Sequence, residues 1–173
     1  MGQQLTQPDR FVQSIHSNKA MSARSVEWSL SCLQALDPTH LFAMYKLRQD
    51  VFVLEQQCLY PDIDDIDLQA QHLLGWETGN LSAYLRIIPP LGKYPGPAIG
   101  RVLTAAAARK GGLGRLLMQQ GISRTQALFP EQSIYLAAQT YLINFYTSLG
   151  FSACGETYVE DGIEHVEMVR TTP

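Results

Sequence analysis

The sequence predicts one α/β domain built on a mixed sheet, and three observations predict it. The chain has 173 residues, enough for one core and too few for two ordinary ones. Stretches of alternating polarity are interleaved with stretches of helical period, in the order β-α-β-β-β-α-β-α-β-β. The stretch "RKGGLGRLLM" (109–118) runs from a strand into a helix through glycines. Glycine weakens a helix, so something at that junction must require it.

Taken in order, "VEWSLSCL" (26–33) alternates polar and apolar residues and reads as a strand. Asp37 then stands as an N-cap and Pro38 as the first helical residue. Leu41, Met44, Tyr45, Arg48, Val51 and Phe52 follow at helical spacing. "YPDIDDID" (60–67) reads as an acidic loop, either plainly solvated or acting as a field that draws in a cationic amine. It is not an EF-hand, because Ile66 sits at a ligand position and the sixth-position glycine is missing.

Residues 72–77 and 81–88 read as a hairpin, with Gly79-Asn80 supplying the turn. "PPLGKYPGP" (89–97) is a loop, and 98–105 is a strand. A helix runs from about Gly112 to Leu128, and Pro130 stops it. The segment 133–138 is a short strand, and 141–150 is a helix with Gly150 as its C′ residue. The stretches 152–160 and 164–171 close the sheet as an antiparallel pair. Residues 1–24 are polar, with at most a weak stripe from Phe11, Val12 and Ile15. They are expected to be a flexible extension ahead of a domain spanning 25–173. Met21 is a candidate translation start, which an intact mass of the natural product would check.

Composition narrows the function. The net charge is −3, and no stretch interleaves aromatic with basic residues, so nucleic acid is not an expected partner. No apolar run is long enough to span a membrane, and the polar start lacks the apolar core of a signal peptide. Met1-Gly2 with Thr6 fits a myristoylation start, but nothing else points to a lipid anchor. Cys32, Cys58 and Cys154 are odd in number and far apart. That pattern argues against a disulfide framework and against a zinc site, and it fits a reducing, cytoplasmic location.

The glycine stretch has a physical reading of its own. A helix start presents free amides and the positive end of the macrodipole, and glycine lets a bulky anion approach them. Arg109, Lys110 and Arg115 flank the stretch and can meet phosphate oxygens. Neither the Walker pattern nor the dinucleotide glycine pattern is present.

The spacing Arg109-x-x-Gly112-x-Gly114 between strand and helix resembles the acetyl-CoA pyrophosphate loop of the GNAT superfamily of N-acetyltransferases. "NFYTSLGF" (144–151) resembles the other hallmark of that superfamily, with Asn144, Tyr146, Leu149, Gly150 and Phe151 matching. The two motifs stand in the family's order with a strand between them. Further segments, among them "LRQDVFVLEQQCLYPDIDDID" and "YVEDGIEHVEM", extend the likeness to the ElaA-type branch over 26–170. "TAAAARKGG" departs from the pattern by being richer in alanine and glycine than the usual bridge.

The resemblance implies a three-layer αβα GNAT fold, acetyl-CoA as co-substrate, no metal, and direct attack of a primary amine in a ternary complex. It implies a split between strands 98–105 and 133–138, where the backbone of Leu103 and Thr104 meets the pantetheine arm. Gly111, Gly112, Leu113 and Gly114, with Arg109, Lys110 and Arg115, would hold the pyrophosphate. Asn144 is a cofactor contact or an ordinary helix residue. Tyr146 is the acid for the departing thiolate or a core aromatic. The base is open among Glu55, His165, His72 and the acidic loop, with Glu55 and His165 as catalytic candidates; a water-mediated route needs none. The acceptor is a polyamine-like molecule, an amino sugar or acid, or a protein amine, and the acidic loop leans it toward a small cation. Relatives are often dimers, so a homodimer is a further expectation. The rival readings are an acyl-CoA-binding regulatory domain without turnover and a transferase that uses another acyl-CoA.

Overall fold

The first alternating stretch forms β1 (Glu27–Cys32), which pairs antiparallel with β2 (Gln71–Glu77). The structure, a computed structural model, describes residues 25–160 and 162–172. The extension 1–24, with Met21, lies outside the described residues. β2 turns into β3 (Asn80–Ile88), which pairs with β4 (Ala98–Thr104), again antiparallel. β5 (Ile134–Gln139) lies parallel to β4, and β8 (Ile163–Arg170) runs antiparallel to β5. Two short strands, β6 (Ser152–Ala153) and β7 (Tyr158–Glu160), both pair with β8. The sheet order is β1-β2-β3-β4-β5-β8-β6.

Side-chain alternation gives the sheet two apolar faces. Leu73, Leu85 and Ile87 join the core beneath α2 (Leu113–Leu128) and α3 (Ile143–Thr147). Their neighbours Leu74 and Tyr84, with Leu103, join the core beneath α1 (Pro38–Arg48) and the turns after it. Helices therefore cover both faces of one mixed sheet, which is the three-layer arrangement. On α2, Gly121 lies against the sheet, and a Cβ there would fall 2.6 Å from Leu85 Cδ2. Gly121→Ala is expected to destabilise the fold by about 1–2 kcal/mol, overpacking outweighing the gain in helix propensity. Urea denaturation checks this.

Several boundaries differ from those read from the sequence. The Asp37 cap forms as expected, its carboxylate accepting from the Thr39 and His40 amides. The helix it starts then loosens into π-type turns over Gln49–Glu55, with Gln56 N donating to Val51 O. The hairpin turn is Thr78-Gly79, with φ of 47° and 79°, and Asn80 is already the first residue of β3. A two-residue turn with both residues left-handed matches strand twist, so the turn sits one residue earlier than expected. The stretch 152–160 is not one strand. It breaks between β6 and β7, where Gly155 takes φ 96°.

α3 is shorter than the segment 141–150, being preceded by a 3₁₀ turn over Thr140–Leu142. Its end is as expected: Gly150 takes φ 88°, Gly150 N donates to Thr147 O, and Phe151 N donates to Tyr146 O. Those two bonds are a Schellman motif. It turns the chain so that Phe151 enters the core against Tyr146, ring centroids 6.1 Å apart.

Candidate active site

The site begins with a defect in β4. Arg86 pairs with Gly100 and Tyr84 with Leu103, so β4 takes three steps where β3 takes two. The extra residue is a β-bulge, and Arg101 within it has a left-handed φ of 53°. Beyond the bulge β4 turns away from β5. The two parallel strands share one register pair, Ala98↔Tyr135, and then diverge. The gap is a cleft of about 250 Å³, lined by Gly100 and Val102 of β4, Leu136 and Gln139 of β5, Tyr146 of α3 and His165 of β8. Backbone groups along a split of this kind lack ladder partners and favour a ligand that can act as a strand.

At the open end of the split the chain enters α2. Lys110, Gly111 and Gly112 are all left-handed, with φ of 71°, 83° and 82°. Gly112 is the N-cap and offers no side-chain acceptor. Leu116 N donates to Gly112 O at 3.1 Å, so the amides of Leu113, Gly114 and Arg115 precede the first helical bond. A Cβ added at Gly112 or at Gly114 would meet no atom within 4 Å. Packing therefore does not demand glycine at Gly114, unlike Gly121 on the same helix. What the two glycines leave is open space over uncapped amides, which suits a bulky anion such as a pyrophosphate.

The basic residues around this cradle have partners. Arg109 donates to both oxygens of Glu55, at 2.5 and 2.8 Å, and to Thr104 O at 3.2 Å. Arg115 donates to Ser148 Oγ at 2.7 Å and lies over the Phe145 ring, tying α2 to α3. Lys110 is exposed. Asn144 is exposed on α3, and its carbonyl accepts from Ser148 N. Leu103 sends its side chain into the core beneath α1, leaving its backbone at the strand.

Tyr146 is 6% exposed and lines the cleft. Burial, with the nearby Tyr141 phenol adding to it, pushes its hydroxyl up to about 12, so the phenol keeps its proton at neutral pH. His165 lines the same cleft, with Nδ1 2.9 Å from Ile163 O. A carbonyl only accepts, so Nδ1 carries the hydrogen and the neutral ring keeps its lone pair on Nε2. Glu55 is not among the cleft-lining residues. The hydrogen bond from Arg109 holds its carboxyl below the usual range, which makes it a weak base. Tyr146 and His165 thus meet in the cleft, while Glu55 belongs with Arg109 at its rim.

The acidic loop is neither solvated nor a free field. Asp62 and Asp67 are buried, and Asp65 to Leu68 form a 3₁₀ turn capped by Asp64. Arg48, fully buried, donates to Asp62 Oδ2 at 2.8 Å and to Asp67 Oδ1 at 2.9 Å. Arg86 donates to Asp64 Oδ1 at 2.6 Å and to Asp67 Oδ1 at 2.7 Å. Arg101 Nε lies 2.6 Å from Asp62 Oδ1, and its guanidinium sits over the rings of Phe52 and Tyr60. Three arginines pair with Asp62, Asp64 and Asp67, leaving Asp65 exposed, and the third arginine stands on the bulge. The loop is therefore a brace for the split strand.

His72 is buried in the same brace. Its Nε2 donates to Asp67 O and its Nδ1 accepts from Tyr84 Oη, and burial lowers its pKa. It is a neutral structural bridge. Nothing in the strand pattern marks the bulge at Arg101, a non-glycine residue inside an ordinary alternation. Gln139, another lining residue, carried no motif.

A mixed sheet split between two parallel strands, with an uncapped glycine-opened helix at the mouth of the split, defines an acyl-CoA acyltransferase fold. Residues 51–172 match the acetyltransferase (GNAT) domain. The chain is 40% identical to protein ElaA of Escherichia coli over 147 residues, 84% of this chain and 96% of the relative. It superposes on the crystal structure of E. coli ElaA with a TM-score of 0.79, covering 84% of this chain and 99% of that one at 38% identity. An acyl-CoA N-acyltransferase from Pseudomonas aeruginosa superposes with a TM-score of 0.80, covering 85% and 100% at 37% identity. The chain belongs to the GNAT acetyltransferase family, alongside ElaA. Among the described residues no helix is long and apolar enough to cross a membrane.

Proposed function

We propose that this protein is an N-acetyltransferase that moves the acetyl group of acetyl-CoA to a primary amine by direct attack in a ternary complex. The observation that carries the reading is the open space at Gly112 and Gly114 over uncapped amides, at the mouth of a split sheet. When bound, acetyl-CoA supplies an acyl group activated as a thioester. The amides of Leu113, Gly114 and Arg115 hold its pyrophosphate, aided by Gly111, Gly112 and Lys110. The backbone of Leu103 and Thr104 holds the pantetheine arm. Arg109 and Arg115 can turn from Glu55 and Ser148 to phosphate oxygens, because both sites are exposed and such pairs contribute little. Asn144 contacts the same ligand from α3.

The amine must be neutral to attack. His165 Nε2 takes its proton, and Tyr146 Oη gives one to the departing sulfur. Glu55 is the less suitable base, since Arg109 keeps its proton affinity low.

Tyr146→Phe is expected to lower kcat about a hundredfold. Acetyl-CoA affinity and thermal stability should hardly change, since among the described residues the buried phenol makes no hydrogen bond that its loss would break. A thiol-release assay beside a calorimetric titration checks both. The proposal itself is tested by titrating the chain with acetyl-CoA and then assaying thiol release across a panel of amines. Binding with acetyl transfer supports it. Binding without transfer to any amine supports a regulatory domain, transfer only from another acyl-CoA changes the donor, and no binding to any acyl-CoA ends the enzyme reading.

A further inference from the structure

β8 carries a second functional group beside His165. Two residues along the same face stands Glu167, whose side chain is 24% exposed. Its Oε1 accepts from Tyr158 Oη at 3.0 Å, and Tyr94 Oη donates to Oε2. The Tyr94 ring is stacked on Tyr135, centroids 5.1 Å apart and planes 9° apart. Lys93 Nζ lies 3.2 Å from Glu167 Oε1 and 5.0 Å from the centre of the Tyr94 ring. A carboxylate set among tyrosine rings is a site for an alkylammonium, held by charge on one side and by the π-face on the other. The chain's own lysine already shows the site holding one.

We infer that this cluster is an ammonium subsite for the acceptor, and that the acceptor is an aliphatic diamine. The inference rests on the amine reading above and names its substrate class. Lys93 comes from the Pro/Gly loop 89–97 and is 65% exposed. An exposed lysine on a loop is loosely held, so an incoming ammonium can take its place on the half-buried carboxylate. Two residues of strand separate Glu167 from His165 by about 7 Å. An extended chain advances about 1.2 Å per bond. A diamine of about five carbons therefore spans from a reacting nitrogen at His165 to a charged nitrogen at Glu167. The hydroxyls of Tyr94 and Tyr158 fix the carboxylate's direction, and Tyr158 also stacks on His165 at 6.0 Å. Tyr158 thus connects the carboxylate to the histidine that lines the cleft.

The test compares 1,5-diaminopentane with n-pentylamine as acceptors for the wild type, Glu167→Gln and Lys93→Ala. The same diamine is titrated calorimetrically into each protein without acetyl-CoA. The wild type is expected to prefer the diamine in kcat/KM about tenfold. Glu167→Gln should lose that preference and the heat of diamine binding. Lys93→Ala, which removes an exposed competitor, should lower the diamine's KM severalfold while leaving the fold intact. Equal use of both amines, or a preference that survives Glu167→Gln, overturns the inference. If no amine is acetylated although acetyl-CoA binds, the transferase reading fails. The subsite is then judged by calorimetry alone: heat lost in Glu167→Gln upholds it, and no heat in the wild type removes it.

Discussion

A Gly114→Glu variant is expected to fold at least as stably as the parent and to bind acetyl-CoA about a hundredfold more weakly. Gly114 lies in the first turn of α2, and an added Cβ meets nothing within 4 Å. Replacing a helical glycine recovers up to about 1 kcal/mol of propensity, and a carboxylate near a helix N-terminus adds a few tenths more. The same carboxylate would stand where the cradle holds pyrophosphate. Two unit charges about 5 Å apart at an effective dielectric near 20 repel by about 3 kcal/mol. That is about a hundredfold in affinity. Gly112 is a poorer probe, because its φ of 82° would strain any side chain and confuse fold with binding. Differential scanning calorimetry and isothermal titration of Gly114→Glu separate the two effects. A rise in Tm with acetyl-CoA affinity unchanged would show that these amides do not hold the phosphates.

The second large effect concerns stability. Arg48→Ala is expected to destabilise the fold by about 3–5 kcal/mol. For a chain of this size that lowers Tm by about 10 °C. Arg48 is fully buried and lies over the rings of Tyr45 and Tyr84, and its loss takes from Asp62 and Asp67 one of the two arginines that each carboxylate holds. Asp67 and Asp64 also make the fold sensitive to acid. Burial alone would raise the Asp67 carboxyl, but hydrogen bonds and charge from Arg48 and Arg86 outweigh it and hold it below its ordinary 3.8. Asp64 is held down in the same way, mainly by Arg86 against its own burial. A carboxylate whose folded pKa is depressed stabilises the fold above its unfolded value. That contribution is lost as pH falls below 3.8 and through the folded values. In Arg48→Ala the Asp67 carboxyl loses one of the two arginines that hold it down, so less of this contribution remains to be lost. The gap between parent and variant should therefore narrow as pH falls from 7 to below 3.8, which urea midpoints at pH 7 and about pH 3 will show.

Local chemistry made most of the fold legible. Asp37-Pro38 announces the start of α1 and Gly150 the end of α3, because caps act within a few residues of themselves. The glycine stretch marked the junction of strand and helix, because Gly111 and Gly112 take the left-handed backbone that glycine adopts without strain. The acidic loop misled for the opposite reason. Its partners Arg48, Arg86 and Arg101 lie on three different elements, and nothing in "YPDIDDID" says that the fold will gather them. The bulge at Arg101 was silent too. A left-handed arginine within a strand is held by Asp62 and by the rings of Phe52 and Tyr60, all distant in sequence. Tyr146 and His165 were readable as candidates, but their shared cleft and the engagement of Glu55 by Arg109 were not.

The single register pair between β4 and β5 gives the molecule a seam. On one side β1 to β4 form an antiparallel ladder, and on the other β5 to β8 form a second. Opening along that line breaks few backbone hydrogen bonds, so the two halves are the natural units of partial unfolding, held together by the core they share beneath α2 and α3. Amides bordering the seam would exchange with solvent long before those at the centre of either ladder. A ligand that hydrogen-bonds to both banks would sew the halves into one cooperative unit, and the substrate would be part of what keeps its enzyme whole.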